Sequence, residues 1–247
     1  MSDVVPVPTT APLSEGQRIV DTFVAPSKTF TDLRRSAAWW GPLLVLIIVS
    51  ALFSFGTQQK VGWEKVFENN IHQNPKQEEQ LNQVPPDQLA SRKAISAKIT
   101  QVISYLYWVI LLIFTAIIAL LVWATVNFGF GGTASYGQVY AVYMYANLVM
   151  NIKYILATIA LFAGLAPDSF LQQNPVGTNL AYFFTDWPKW LIALTTHIDI
   201  FEIWSIVLTV IGVSIVAKVK RGTAAIAVLG WWLLIILILT GVAAAQG

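Results

Sequence analysis

Four apolar runs in this chain are too long to be hidden in a small soluble core. Trp39–Gly56, Ile103–Val126, Ile198–Ala217 and Ala224–Ala245 each have the length of a membrane-crossing helix, about 17–25 residues for a hydrocarbon core near 30 Å. A fifth run, Tyr136–Leu165, is broken by Asn151, Ile152 and Lys153. As one straight helix it would rise about 45 Å at ~1.5 Å per residue, too far for the core, so it reads as tilted, kinked or broken near Asn151. Lipid offers the backbone no hydrogen-bond partner, so segments of this kind must be helical. The expectation is an all-α, polytopic membrane helix bundle of five spans. Composition agrees: 56% of the 247 residues are hydrophobic and 11% charged, against about 25% charged in a soluble domain.

Several function classes are set aside. A net charge of +2 from 15 basic and 13 acidic residues is too small and too dispersed for a nucleic-acid surface. With no cysteine there are no disulfides, thiol nucleophiles or thiolate metal sites. The Gly-rich stretch 127–137 lacks the Gly-Lys-Ser/Thr ending of a phosphate loop and reads as a tight interhelical turn. His72, beside Asn69, Asn70 and Gln73, has no second imidazole near it in sequence. No enzyme, cofactor or metal is expected.

Two parts are expected: a cytoplasmic segment, 1–38, and a five-span domain, 39–247, with an outer polar loop at 57–102. The first residues, rich in Pro, Ser and Thr, have no apolar core of signal-peptide type, so span one is expected to act as its own insertion signal. Arg34 and Arg35 precede span one, and Lys218, Lys220 and Arg221 join spans four and five. Five spans put these dense basic clusters on one side, cytoplasmic by the positive-inside rule, with the C-terminus outside. The outer loop carries six basic residues among five acids, so orientation rests on cluster density. Asp87 is a helix-cap candidate after Pro85 and Pro86. Trp39, Trp40, Trp108, Trp187, Trp190, Trp231 and Trp232 lie near span ends and read as headgroup anchors.

Before span one, Leu13, Ile19, Val20, Phe23 and Val24 share a helical face, Pro26 breaks the helix, and Phe30 and Leu33 follow among basic residues. This suits two short helices lying in the interface. Ile19, Phe23, Pro26, Phe30, Arg34 and Arg35 are the candidate interfacial docking segment.

Ionisable side chains inside a membrane are costly and mark a site to be explained. Asp199, Glu202, Ser205, Thr209 and Gly212 recur at helical spacing on span four as a polar-to-small stripe that should face the bundle. Asp199 can start the helix, where free N–H groups favour an anion. Lys153 lies roughly 25 Å along span three from Tyr136 at ~1.5 Å per residue, near the level at which span four enters from outside. It can therefore meet Glu202 or Asp199, with Asn147, Asn151 and Tyr154 completing a polar patch. A structural pairing of Lys153 with Glu202 is the favoured arrangement, with Asp199 as the cap.

The stretch "RIVDTFVAPSKTFTDLRRSAAWWGPLLVLIIVS" resembles the N-terminal signature of the Yip family of Ypt/Rab-interacting membrane proteins, with a short helix, a Pro-centred turn and Trp before span one. "HIDIFEIWSIVLTVIGVSIVAKVKRGTAAIAVLGWWLLIIL" is similar to the family's last two spans. The likeness covers residues 18–54 and 192–240. It implies five spans, a cytoplasmic N-terminus and an outside C-terminus. In eukaryotes the family associates with Rab-type GTPases and trafficking or membrane-shaping machinery. This sequence looks like the bacterial branch, which has no secretory-pathway Rab system, so that role does not carry over. The expected function is a scaffold or adaptor of the bacterial inner membrane whose partners are the lipid bilayer and other membrane or cytosolic proteins. The alternative is a transporter or channel for an ion or small solute using the patch. Spans one, two and five are nearly free of charge and no internal repeat is visible, which favours the scaffold.

Overall fold

The computed structural model describes residues 11–184 and 187–246. The Pro-, Ser- and Thr-rich first residues on which the insertion-signal expectation rests lie outside them. Among the described residues five helices are long and apolar enough to cross a membrane: Trp40–Lys60, Tyr107–Gly129, Tyr136–Phe162, Ile200–Ala217 and Arg221–Ala245. The only strand-like pairing among these residues is an isolated bridge between Asn179 and Asp199. Each span ends within a few residues of its expected limits, because the apolar runs themselves set those limits.

Two helices precede span one, α1 (Glu15–Val24) and α2 (Pro26–Asp32). A capping box starts α1: Ser14 Oγ accepts from Gln17 N–H, and the Gln17 side chain accepts from Ser14 N–H. Pro26 ends α1 and, with its fixed φ and missing N–H, suits the first position of α2. Span one is α3 (Trp40–Lys60).

The segment 57–102, expected as an outer loop, was expected to hold one helix. It folds as three: α4 (Trp63–His72), α5 (Pro75–Asn82) and α6 (Pro86–Tyr105). Trp63 and Val66 of α4 are buried with Phe53, Ala97, Ala157, Leu161 and Phe170 in a small second core, and Asn69 Nδ2 donates to the carbonyls of Pro167 and Phe170. This explains why α4, short and polar in sequence, is stable in place. Asp87 is not the cap; Pro85 occupies that position, and Asp87 lies in the first turn. His72 is hydrogen-bonded to Glu78, 2.8 Å away.

A break at Leu106 separates α6 from span two, α7 (Tyr107–Ala124), which unwinds into a π turn over Thr125–Gly129. Asn127 closes the following turn, its amide donating to and accepting from the backbone of Ala134. Span three consists of α8 (Tyr136–Ala146), started by a second capping box of Ser135 and Gln138, and α9 (Leu148–Phe162). The join is at Asn147, a turn before the expected Asn151. There Met150 N–H bonds to the Asn147 carbonyl, tightening the helix, while the Asn147 side chain is drawn across to span four. After α10 (Lys189–Thr196), span four is α11 (Ile200–Ala217) and span five is α12 (Arg221–Gln246).

The main core lies where α8 and α9 meet α7, α11 and α12, around Tyr145, Leu148, Val149, Val122, Val213 and Val228. Ser205, Thr209 and Gly212 of α11 face inward. At Gly212 a Cβ would fall 2.5 Å from Val142 of α8 and 3.0 Å from Phe30 of α2, so only glycine permits this three-helix contact.

The N-terminal helices depart from expectation. α2 packs on α11 and α1 on α8 and the start of α3, so the pair forms a hairpin built into the bundle. Phe30 and Leu33 are fully buried, Ile19 and Phe23 lie against the core, and Phe23 meets Trp204 edge to face at 6.0 Å. The polar groups turn inward: Arg18 and Asp32 form a buried ion pair at 2.6 Å, and the Thr22 and Thr29 hydroxyls donate to the Arg18 carbonyl. Tyr145 OH donates to Glu15 Oε2 at 2.6 Å. Val20 and Val24 are left on the outer face, 59% and 73% exposed. Helical spacing identified the apolar face; part of it, Ile19 and Phe23, is covered by the bundle and part, Val20 and Val24, is not, while the Arg18–Asp32 pair closes the hairpin from within.

Candidate functional site

The polar patch is built around the start of α11. Asp199 caps that helix, Oδ1 accepting from Phe201 N–H at 2.8 Å and Glu202 N–H at 3.3 Å. Its other oxygen accepts from Lys153 Nζ of α9 at 2.8 Å and from Thr178 Oγ1 at 2.6 Å. The two charged side chains are 7% and 1% exposed, so the pair is dry. Thr178 is positioned by backbone pairing of its strand-like segment with residues 198–200: Leu180 N–H bonds to Ile198 C=O and Ile200 N–H to Thr178 C=O. One carboxylate therefore accepts four hydrogen bonds, offsetting its burial.

Lys153 thus pairs with Asp199, and Glu202 is elsewhere. The Glu202 carboxylate accepts from Trp232 Nε1 of α12 at 2.7 Å and faces His197 Nδ1 at 3.0 Å. Asp199 is the extended cap residue before α11 and sends Oδ2 toward α9, while Glu202, in the first helical turn, points toward α12. Trp232 is a partner of Glu202, and Trp231 Nε1 donates to Thr125 Oγ1 at 2.9 Å, so both indoles join helices where anchors were expected. Trp39, by contrast, packs edge to face on Tyr140 at the start of its span.

Asn147 Oδ1 accepts from Ser205 Oγ at 3.2 Å, and Asn151 Nδ2 donates to the Asn147 carbonyl at 3.4 Å. Tyr154 OH lies 3.4 Å from Tyr107 OH, toward span two. The cavity beside Asn147, Asn151 and Tyr154 has a volume of about 20 Å³, room for about one water. Among the described residues no group of three metal-ligating side chains converges. Chemically the patch can cross-link helices; its charges face each other.

Of the docking segment, Ile19, Phe23 and Phe30 face the bundle and Pro26 starts α2. Arg34 and Arg35 are exposed at the hairpin's end, Arg35 bound to Asp32. Paired by Arg18 and Arg35, Asp32 titrates below the ordinary carboxylate range: burial alone would raise its pKa, but the two guanidinium hydrogen bonds outweigh it. Sequence reasoning missed Thr178 and Trp232. Nothing local marks Thr178, whereas Trp232 is an N–H donor near the depth of Glu202.

No curated protein and no solved structure matches the chain. The family model of the Yip1 domain matches residues 20–242, from within α1 to near the end of span five, and takes in the patch. The chain is accordingly a multi-pass integral membrane protein that contacts the lipid bilayer, and it belongs to the Yip1 domain family.

Proposed function

We propose that this protein is a non-enzymatic scaffold or adaptor of the bacterial inner membrane, with its N-terminus and the Lys218–Arg221 turn in the cytoplasm and its C-terminus outside. It organises the bilayer or holds partner proteins. The observation that carries this reading is the closure of the patch: Lys153 and Asp199 neutralise one another at 2.8 Å, and the adjoining cavity holds about 20 Å³. A transport pathway needs groups that exchange a bound ion or solute with water. Spans two and five favour the scaffold further, being only 22% and 17% buried where the other three are 44–50%. They offer broad apolar flanks to lipid or to other membrane helices.

The test combines a stability cycle with flux. Lys153→Met should strand Asp199 and lower the thermal stability sharply, whereas Lys153→Met with Asp199→Asn removes both charges, keeps a capping side chain and should recover most of the loss. Proteoliposomes should show proton, sodium and potassium flux no higher than empty vesicles. A flux abolished by Asp199→Asn, with additive effects on stability, would overturn the reading in favour of transport.

A further inference from the structure

The dense basic clusters seen in the sequence meet in space. A cleft of about 410 Å³ is lined by Thr31, Arg34 and Arg35 at the end of the hairpin, by Thr133 and Gln138 at the start of span three, and by Lys218 at the end of span four. Arg34 and Lys218 are exposed and have no acidic partner among the described residues. Asp32, next to Thr31 in the hairpin, is held by Arg18 and Arg35, so its charge is already met from within the hairpin.

Lys218 adds an independent observation. It sits in the left-handed region, φ 56° and ψ 39°, the only non-glycine residue with positive φ among those described. This C-terminal position of a helix favours glycine. A lysine there holds a cation at the cleft mouth in a strained backbone, and such outliers concentrate at functional positions. Val20 and Val24 are exposed on the hairpin, and Ile203 and Val207 are exposed on α11, toward the end of that helix remote from Lys218.

We propose that this cleft binds the phosphate of an anionic phospholipid headgroup. The planar guanidinium of Arg34 and the point charge of Lys218 suit a phosphate ester. The cleft lies at the start of span three and the end of span four, where headgroups lie, and the exposed apolar flank of span four leads from it into the bilayer, as acyl chains require. The proposal requires only that the spans lie in a bilayer, and is independent of the scaffold reading.

The experiment uses the full chain in neutral detergent, titrated separately with dioctanoyl phosphatidylglycerol, dioctanoyl phosphatidylcholine and inorganic phosphate, and read by thermal shift and by lipid adducts in native mass spectrometry. Phosphatidylglycerol should stabilise the protein and leave a one-lipid adduct, phosphatidylcholine should do neither, and phosphate should act weakly. Arg34→Gln with Lys218→Gln should raise the half-saturating phosphatidylglycerol concentration roughly tenfold or more, while Lys98→Gln, in the outer segment, should leave it unchanged. Lys218→Gly should hold or raise the ligand-free melting temperature, since it relieves the backbone, yet weaken the lipid response, which a purely structural lysine would not do. Equal responses to the two lipids, or a response indifferent to the Arg34 and Lys218 changes, would overturn the proposal. Stabilisation by inorganic phosphate as strong as by phosphatidylglycerol would also overturn it, assigning the cleft to a soluble phosphate compound.

Discussion

Asp199 performs two tasks with one carboxylate, a helix cap through Oδ1 and a buried ion pair through Oδ2. Breaking a buried pair by removing one partner costs on the order of 3–5 kcal/mol, and losing a cap typically about 1 kcal/mol. Asp199→Ala should therefore lower the melting temperature further than Asp199→Asn, which keeps a capping oxygen, and calorimetry in detergent would order them. Asp32 makes a pH-dependent contribution of known sign. Its folded pKa lies below the unfolded value of about 3.9, so its stabilisation is present above about pH 4 and is lost as pH falls through the folded value. The gap in melting temperature between wild type and Asp32→Asn should be open at pH 7 and close under more acidic conditions. Depth along two helices was enough to predict that Lys153 meets an acid of span four. It favoured Glu202 over Asp199, whereas Lys153 pairs with Asp199, because depth alone carries neither the extended backbone of the cap residue nor the rotation of α11 against α9 and α12.

At the scale of the element, Gly212 is where α11 packs closely on both α8 and the hairpin's α2. A Cβ there would lie 2.5 Å from Val142, and overpacking of this kind costs roughly 1–3 kcal/mol. Gly212→Val should lower thermal stability and loosen α2, which protease cleavage near Ser27 or Lys28, both exposed in the intact protein, would report. Membrane helices were the most legible elements because length and apolarity alone define them. The short helix α4 was not, since its stability comes from contacts such as Asn69 with the carbonyls of Pro167 and Phe170, far away in sequence. The hairpin was legible as two helices around Pro26 but not in its orientation, because periodicity cannot say whether lipid or protein will cover an apolar face.

For the whole molecule, the proposed orientation places the Lys218–Arg221 turn and the outer segment on opposite sides of the membrane. Single cysteines, introduced into a chain that has none, should react with an impermeant maleimide in intact cells at position 80 and after position 245, but not at position 220. Labelling at 220 with protection at 80 would reverse the orientation.

The hairpin is made before the helices that receive it and is secured late. Its buried surface is completed by α8 and by Gly212 of α11, so at about 5–20 residues per second the ribosome works on the order of ten seconds or more between releasing Phe30 and releasing its receptor. During that wait, Arg18 and Asp32 need no other part of the chain to neutralise each other. A sequence that delivers its own counter-ion within the same hairpin can keep that hairpin neutral on its polar face until the last helices arrive, so the Arg18–Asp32 pair matters to the order of assembly as well as to the finished fold.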